Sequence, residues 1–260
     1  MRELAESFRS IVEQRGTPLQ RGKFFEKLAL SHLTESRYQP PEECLKLAEL
    51  AVSQSRRSSN LSEVSQIQFV LGFVHLWRGN FTEAIANFEQ ADLLAQRCGN
   101  VVVRTRCLAY LPVAHRRAGN LETTRACAVQ ALELSTRLAM VEYVAMAKAN
   151  LAWVAWKKDE LDDCEKLGRG ALELWHGMAD PYGFDWMALW PLIATALARK
   201  QTEDAVKLAE GLFRDSQHPI KAEVLTATTQ AIDSSRKGDE ALAASQMQKA
   251  LETAERHHYI

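Results

Sequence analysis

A pattern of apolar and small residues returns every 40 positions along this chain, and few folds accommodate such a pattern. Leu71, Leu111 and Leu151 share one column, Ala91, Ala131 and Ala171 a second, and Leu94, Leu134 and Leu174 a third. Gly79 and Gly119 fall on Asp159, and Phe81 falls on Leu121 and Leu161. Recurrence at an interval of this size belongs to stacked arrays, in which no unit buries its apolar face alone. The pattern predicts a binding surface ahead of any chemistry.

Within each period the apolar residues sit three and four apart, in two runs separated by a short polar turn. Ile67, Val70, Leu71, Val74 and Trp77 form the first run, Arg78-Gly79-Asn80 breaks it, and Ala84, Ile85, Phe88, Ala91 and Leu94 form the second. That is helix, turn, helix, with Gly99-Asn100 as a left-handed stop. The same grammar predicts pairs at 103–118 with 121–137, 141–157 with 161–176, 185–199 with 202–214 and 220–236 with 239–256. The fourth pair needs one inserted residue, which brings Ala205 to the place of Ala84. A divergent pair, 20–36 with 41–55, precedes them, its second helix opened by Pro40-Pro41, since proline suits a first turn. Met1 to Gln14 reads as one further amphipathic helix, either a polar cap or the sign of a chain cut from a longer protein. Strand signals are absent. One continuous domain over 1–260 is expected: a leading or capping helix at 1–17, a divergent repeat at 18–60 and five clearer repeats at 61–260.

Hydrophobic residues make up 47% of the 260 positions and the net charge is -1, so any electrostatic recognition must be local, and nucleic acid is disfavoured as a partner. The longest nearly apolar run, 186–198, contains Pro191 and Thr195 and falls short of the roughly 20 residues a membrane span needs. The first residues carry acidic groups and lack the apolar stretch of a secretion signal, which predicts a cytoplasmic protein without membrane contact. Cys44, Cys98, Cys107, Cys127 and Cys164 stand singly, as reduced thiols used as small fillers.

Leu71-Gly72, His75, Gly79-Asn80-Phe81, Ala84, Phe88 and Ala91 resemble the tetratricopeptide repeat (TPR) family in type and spacing. The resemblance implies an all-α, right-handed superhelix of about six helix pairs, with Gly72, Ala84 and Ala91 allowing close approach and Phe88 filling the space between repeats. Departures are the period of 40 in place of the family's 34, Pro112 where Gly72 stood, and Thr124 in the Ala84 column. A narrower resemblance covers 65–260: Leu76-Trp77-Arg78-Gly79, Ala149 to Trp156 and Trp186 to Leu192 look like the C-terminal repeat region of large bacterial signal-transduction ATPase regulators linked to cyclase or transcription-activator domains. No GxxxxGK[ST] phosphate loop is present in this chain.

The family geometry implies a concave groove lined by the first helix of each pair. Mapped from Ser65, it places Phe69, Phe73 and Trp77 in the groove, then Arg106, Arg116 and Arg117, then Trp153, Trp156 and Lys157, then Met187 and Trp190. Arginine and large aromatics are enriched at binding hot spots, so the groove is expected to take an extended segment or ligand with an acidic or planar group. Alternatively, Trp153 and Trp156 pack against neighbouring helices and the arginines are solvated. The carboxylate clamp of chaperone-binding members is not reproduced, because Phe69, Phe73, Ala109 and Val113 stand at its lysine and asparagine positions. Tyr182 and Phe184, on a lengthened connection, are either loop contacts or a satellite cluster tucked under adjacent helices.

His75 and His115 share a column and are expected to be structural, and no metal or cofactor is implied. His257 and His258 read as an exposed tail. Asp159, Asp162, Asp163 and Cys164 lie at a turn and helix start, where acids favour the helix dipole. With no nucleophile, base and orienting group to assemble, the chain is expected to be non-catalytic. Its expected function is protein–protein interaction or signal sensing, with a protein or peptide partner. The alternative is a regulatory region acting on an ATPase module of the same or another chain.

Overall fold

Why the chain is helical is visible at its punctuation. The computed structural model describes residues 2–260, with side chains from residue 7 onward; Met1 of the expected first helix lies outside the described residues. Among the described residues thirteen α-helices follow one another: α1 Arg2–Arg15, α2 Pro18–Glu35, α3 Glu42–Ser55, α4 Leu61–Arg78, α5 Phe81–Cys98, α6 Val101–Arg117, α7 Leu121–Arg137, α8 Val141–Lys157, α9 Leu161–His176, α10 Trp186–Ala198, α11 Thr202–Glu210, α12 Ala222–Arg236 and α13 Glu240–Arg256. A single 3-10 turn, Gly211–Phe213, extends α11, and among the described residues there is no strand. No described helix is long and apolar enough to cross a membrane.

α2 opens with a capping box, the Thr17 hydroxyl accepting from the Gln20 N–H while the Gln20 amide oxygen accepts from the Thr17 N–H, and Pro18 supplies the preset φ of the first turn. α4 and α13 are capped by Asn60 and Asp239. Between the two helices of each pair one bond recurs: Asn80 N donates to His75 O at 3.0 Å, Asn120 N to His115 O at 2.9 Å, Glu160 N to Ala155 O at 2.9 Å, Gln201 N to Ala196 O at 2.8 Å and Asp239 N to Ser234 O at 3.1 Å. Each closes over a residue in the left-handed region, Gly79, Gly119, Asp159, Lys200 and Gly238 in turn. The glycine column of the sequence is therefore a backbone requirement that Asp159 and Lys200 meet with strain.

The chain forms two compact units, 1–114 and 115–260. In the first, α4 and α5 are held close because a Cβ at Gly72 would come within 2.9 Å of the Phe88 ring, while Ala84, Phe88 and Ala91 have no exposed surface. Burying a ring of that size is worth roughly 1.5–3 kcal/mol. Neighbouring first helices are tied by polar contacts at the repeat interval: Lys23 to Glu63 at 2.7 Å, Gln66 to Glu26 at 3.2 Å and Arg106 to Gln66 at 3.1 Å, each 40 residues apart. In the second unit α8 packs with α9 around Ala152, Ala155 and Cys164, and a Cβ at Gly168 would meet Leu192 at 2.8 Å. Pro112 and Pro191 lie inside α6 and α10, which continue through them.

Candidate functional site

In the first unit the predicted aromatics form a packed layer. Phe69 and Phe73 are buried and stacked at 5.6 Å, and Phe73 meets the Tyr110 ring edge-on at 4.7 Å. Trp77, half-buried, and Tyr38 close the outer side, their rings 5.4 Å apart. Arg106 lays its guanidinium over Phe69 at 4.3 Å while donating to Gln66, which in turn donates to the buried Glu26 carboxylate. Burial raises the Tyr38 hydroxyl above its usual value, and the Arg106 charge opposes that shift. The accessible face of this unit is thus Tyr38, Trp77, Arg106 and Gln66, with Phe69 and Phe73 as its floor.

The second unit treats its tryptophans differently. Trp153 and Trp190 are fully buried, and Trp156 is half-buried against the cluster of Ala152, Ala155 and Cys164, with Lys157 over its ring at 4.3 Å. On the lengthened connection Tyr182 stacks on Trp175 at 4.9 Å and Phe184 packs against His218 at 4.6 Å. Gln217 supports the same loop, its amide nitrogen donating to the Tyr182 carbonyl and its oxygen accepting from the Asp185 N–H.

Arg116 is 3% exposed, not solvated. Its Nη1 donates to the Met187 carbonyl at 2.7 Å and its Nη2 to the Tyr259 carbonyl at 2.9 Å. The guanidinium lies 5.7 Å from the Trp153 ring and 5.6 Å from the Trp186 ring, and Nε has no hydrogen-bond partner. Burial lowers the guanidinium to about 9, so the group stays charged at neutral pH. The Met187 carbonyl is open because residue 191 is proline and has no N–H for the turn it closes. Arg117, also buried and lowered by burial to about 10, holds its guanidinium 5.8 Å over the Tyr259 ring.

The last residues differ from the sequence expectation. His258 is exposed, but Tyr259 and Ile260 are buried. The chain leaves α13 through His258 in the left-handed region, with Tyr259 N donating to Ala254 O at 2.9 Å. The Tyr259 ring stands edge-on to Trp186 at 5.2 Å, and its hydroxyl accepts from Lys221 N at 3.1 Å. Beside this tail lies a cavity of about 380 Å³, lined among others by Arg117, Trp153, Lys157, His258 and Ile260. Two signals in the sequence point this way: an internal proline that leaves a carbonyl open in α10, and an apolar Tyr259-Ile260 pair after a helix stop.

The described residues contain no cluster of His, Cys, Asp and Glu able to hold a metal ion. The buried thiols are held in the protonated state, Cys44 pushed up to about 12 by burial and Cys107 above the usual range. Both are fully enclosed by the helices around them.

No protein-family model matches the chain, and no curated protein matches it in sequence. Solved structures do match its fold. A Rap protein in complex with the competence and sporulation factor superposes with a TM-score of 0.69 at 12% identity, covering 98% of this chain and 69% of that one. Aspartyl phosphate phosphatase F from Bacillus subtilis gives 0.67 at 12%, covering 96% and 64%, and the apo form of RapI gives 0.64 at 13%, covering 97% and 68%. The chain therefore has a TPR-like helical repeat fold. It spans about two thirds of the length of these Rap-type chains.

Proposed function

We propose that the chain is a non-catalytic interaction or sensing module that acts in the cytoplasm and takes an extended peptide or protein segment on the faces of its first helices. The observation that carries this is the pair Arg116 and Arg117, which already holds polypeptide: one donates to a main-chain carbonyl and the other covers an aromatic side chain of the same residue, Tyr259. Forked donors beside aromatic rings are the residue types that dominate peptide recognition. The face of Tyr38, Trp77 and Arg106 offers the same chemistry in the first unit. The fold supports the reading as well, since one chain sharing it is a Rap protein solved with the competence and sporulation factor.

The test is selection of binders from a displayed library of random twelve-residue peptides, followed by affinity measurement with single variants of each unit. Loss of about 10-fold or more on Arg106→Ala or Trp77→Ala assigns the first face, and a similar loss on Arg117→Ala or Lys157→Ala the second. If the library yields no binder, or every binder ignores all four substitutions, the proposal is wrong.

A second use of the same faces rests on the strings Leu76 to Gly79 and Trp186 to Leu192: contact with an ATPase module of the same or another chain. Slowed ATP turnover of such a module on adding this chain, relieved by Arg117→Ala, would favour it over peptide capture.

A further inference from the structure

Three features of the second unit are unexplained by packing alone. The first is the buried, charged Arg116, which meets no carboxylate among the described residues and donates to two main-chain carbonyls, Met187 and Tyr259, while its Nε is left unpartnered. Buried charges are ordinarily paired with an opposite charge, so a site that leaves one to dipoles and ring faces is arranged for something other than stability. The second is the reach of the contact: Arg116 and Tyr259 are 143 residues apart in sequence, far beyond the repeat interval at which other helices are tied. The third is the cavity beside the tail, which leaves room next to Arg117, Lys157 and His258.

The tail is seated on the second unit by a defined set of contacts. Past α13 its contacts include the Arg116 bond, the Tyr259 hydroxyl bond to Lys221 N, the Tyr259 ring against Trp186 and under Arg117, the main-chain bond from Tyr259 N to Ala254 O, and an ion pair, His257 to Glu223 at 2.8 Å, and Tyr259 and Ile260 are buried. It enters through His258 at φ 61°, a backbone conformation that costs an L-residue free energy. What the arginines hold is one main-chain oxygen and one aromatic ring of Tyr259, the groups that an extended peptide would present to the same site.

We propose that residues 257–260 are an intramolecular occupant of the arginine subsite, and that their chemistry defines what replaces them: an extended segment that presents an aromatic side chain to Trp186 and Arg117 and a main-chain or carboxylate oxygen to Arg116. Such a segment binds only by displacing Tyr259, so the tail sets the threshold for capture. The difference in affinity between the tail and the incoming segment decides which one is seated, as for any two ligands of one site. This rests on the peptide-binding reading of the second unit and adds to it a competitor and a ligand class.

The probe is a fluorescein-labelled synthetic peptide of residues 254–260, Ala-Glu-Arg-His-His-Tyr-Ile, added to three proteins: the full chain, the chain shortened after Arg256, and the full chain carrying Tyr259→Ala. The expected result is binding at least tenfold tighter to the shortened and Tyr259→Ala chains than to the full chain. A peptide with alanine at the tyrosine position should not bind any of them. Equal binding to all three, or none to a variant that still unfolds cooperatively, overturns the proposal. So does loss of cooperative unfolding in both variants, because the tail is then part of the core. The library binders separate this from the broader reading: if they exist but bind full and shortened chains alike, peptide binding stands and the occupied-site proposal falls. An empty library removes the broader reading itself.

Discussion

Arg116 donates to the Met187 carbonyl at 2.7 Å, the carbonyl in α10 that Pro191 cannot reach. A non-proline residue at 191 would close that turn from within the helix, and the guanidinium would then have one fewer task. The two residues should therefore be coupled. Arg116→Met leaves two buried carbonyls without a donor, each worth roughly 1–3 kcal/mol, offset in part by no longer burying a charge. In a Pro191→Ala background one of those carbonyls is already satisfied. A double-mutant cycle by urea unfolding should give a coupling of about 1–2 kcal/mol, with Arg116→Met milder when Pro191 is replaced. Additive effects would mean that Met187 O does not depend on Arg116.

Much of this architecture can be read from the chain as letters, and the rest cannot, for a definable reason. Helix boundaries follow from local chemistry: Gly79, Gly119 and Gly238 mark the turns, and Ala84, Ala91 and Ala205 mark close approaches, all within a window of one repeat. The lining residues need more. Trp153 and Trp190 occupy first-helix positions, yet both are fully buried, and only the three-dimensional environment of α8 and α10 decides this. The Arg116 contact with Tyr259 spans 143 residues and leaves no periodic trace. Tyr182 stacks on Trp175 and Phe184 packs against His218, contacts between segments that no local sequence pattern announces.

Positions 79, 119, 159 and 200 share a left-handed backbone, but 159 and 200 carry side chains. An L-residue there costs about 1–2 kcal/mol relative to the right-handed region, and glycine avoids most of it. Lys200→Gly should raise stability by about 1 kcal/mol, a melting shift of about 2–4 °C for a chain of this length. Gly79→Ala should lower it by a similar amount, although nothing lies within 4 Å of the added carbon, so the loss would be conformational rather than steric. Opposite signs in differential scanning calorimetry support the backbone explanation, and equal signs contradict it.

Two glycines of α9 should respond in opposite directions for a steric reason. A Cβ at Gly168 meets the Leu192 side chain at 2.8 Å, whereas one at Gly170 finds only the Lys148 side chain, no nearer than 3.5 Å. Gly168→Ala should cost about 1–3 kcal/mol through forced repacking. Gly170→Ala should gain about 0.5–1 kcal/mol, since alanine orders the unfolded helix segment at no packing penalty. Guanidinium unfolding of both variants checks the helix-pair contact between α9 and α10.

His75 gives the chain a built-in acid response. Burial holds its imidazole below the usual histidine value, the Glu83 and Glu49 carboxylates pull it upward and the Arg78 charge pushes it further down. The Asn80 amide, 3.3 Å from Nδ1, donates to the neutral ring. In the unfolded chain the same group titrates near pH 6.5. The folded state therefore binds fewer protons in the window below that value, and stability supplied by neutral His75 is present above pH 6.5 and is lost as the pH falls through the lowered folded value. His75→Gln removes the titration and should flatten the loss of stability between pH 7.5 and pH 5 in urea unfolding. Curves that fall equally steeply for both proteins would place the acid response elsewhere.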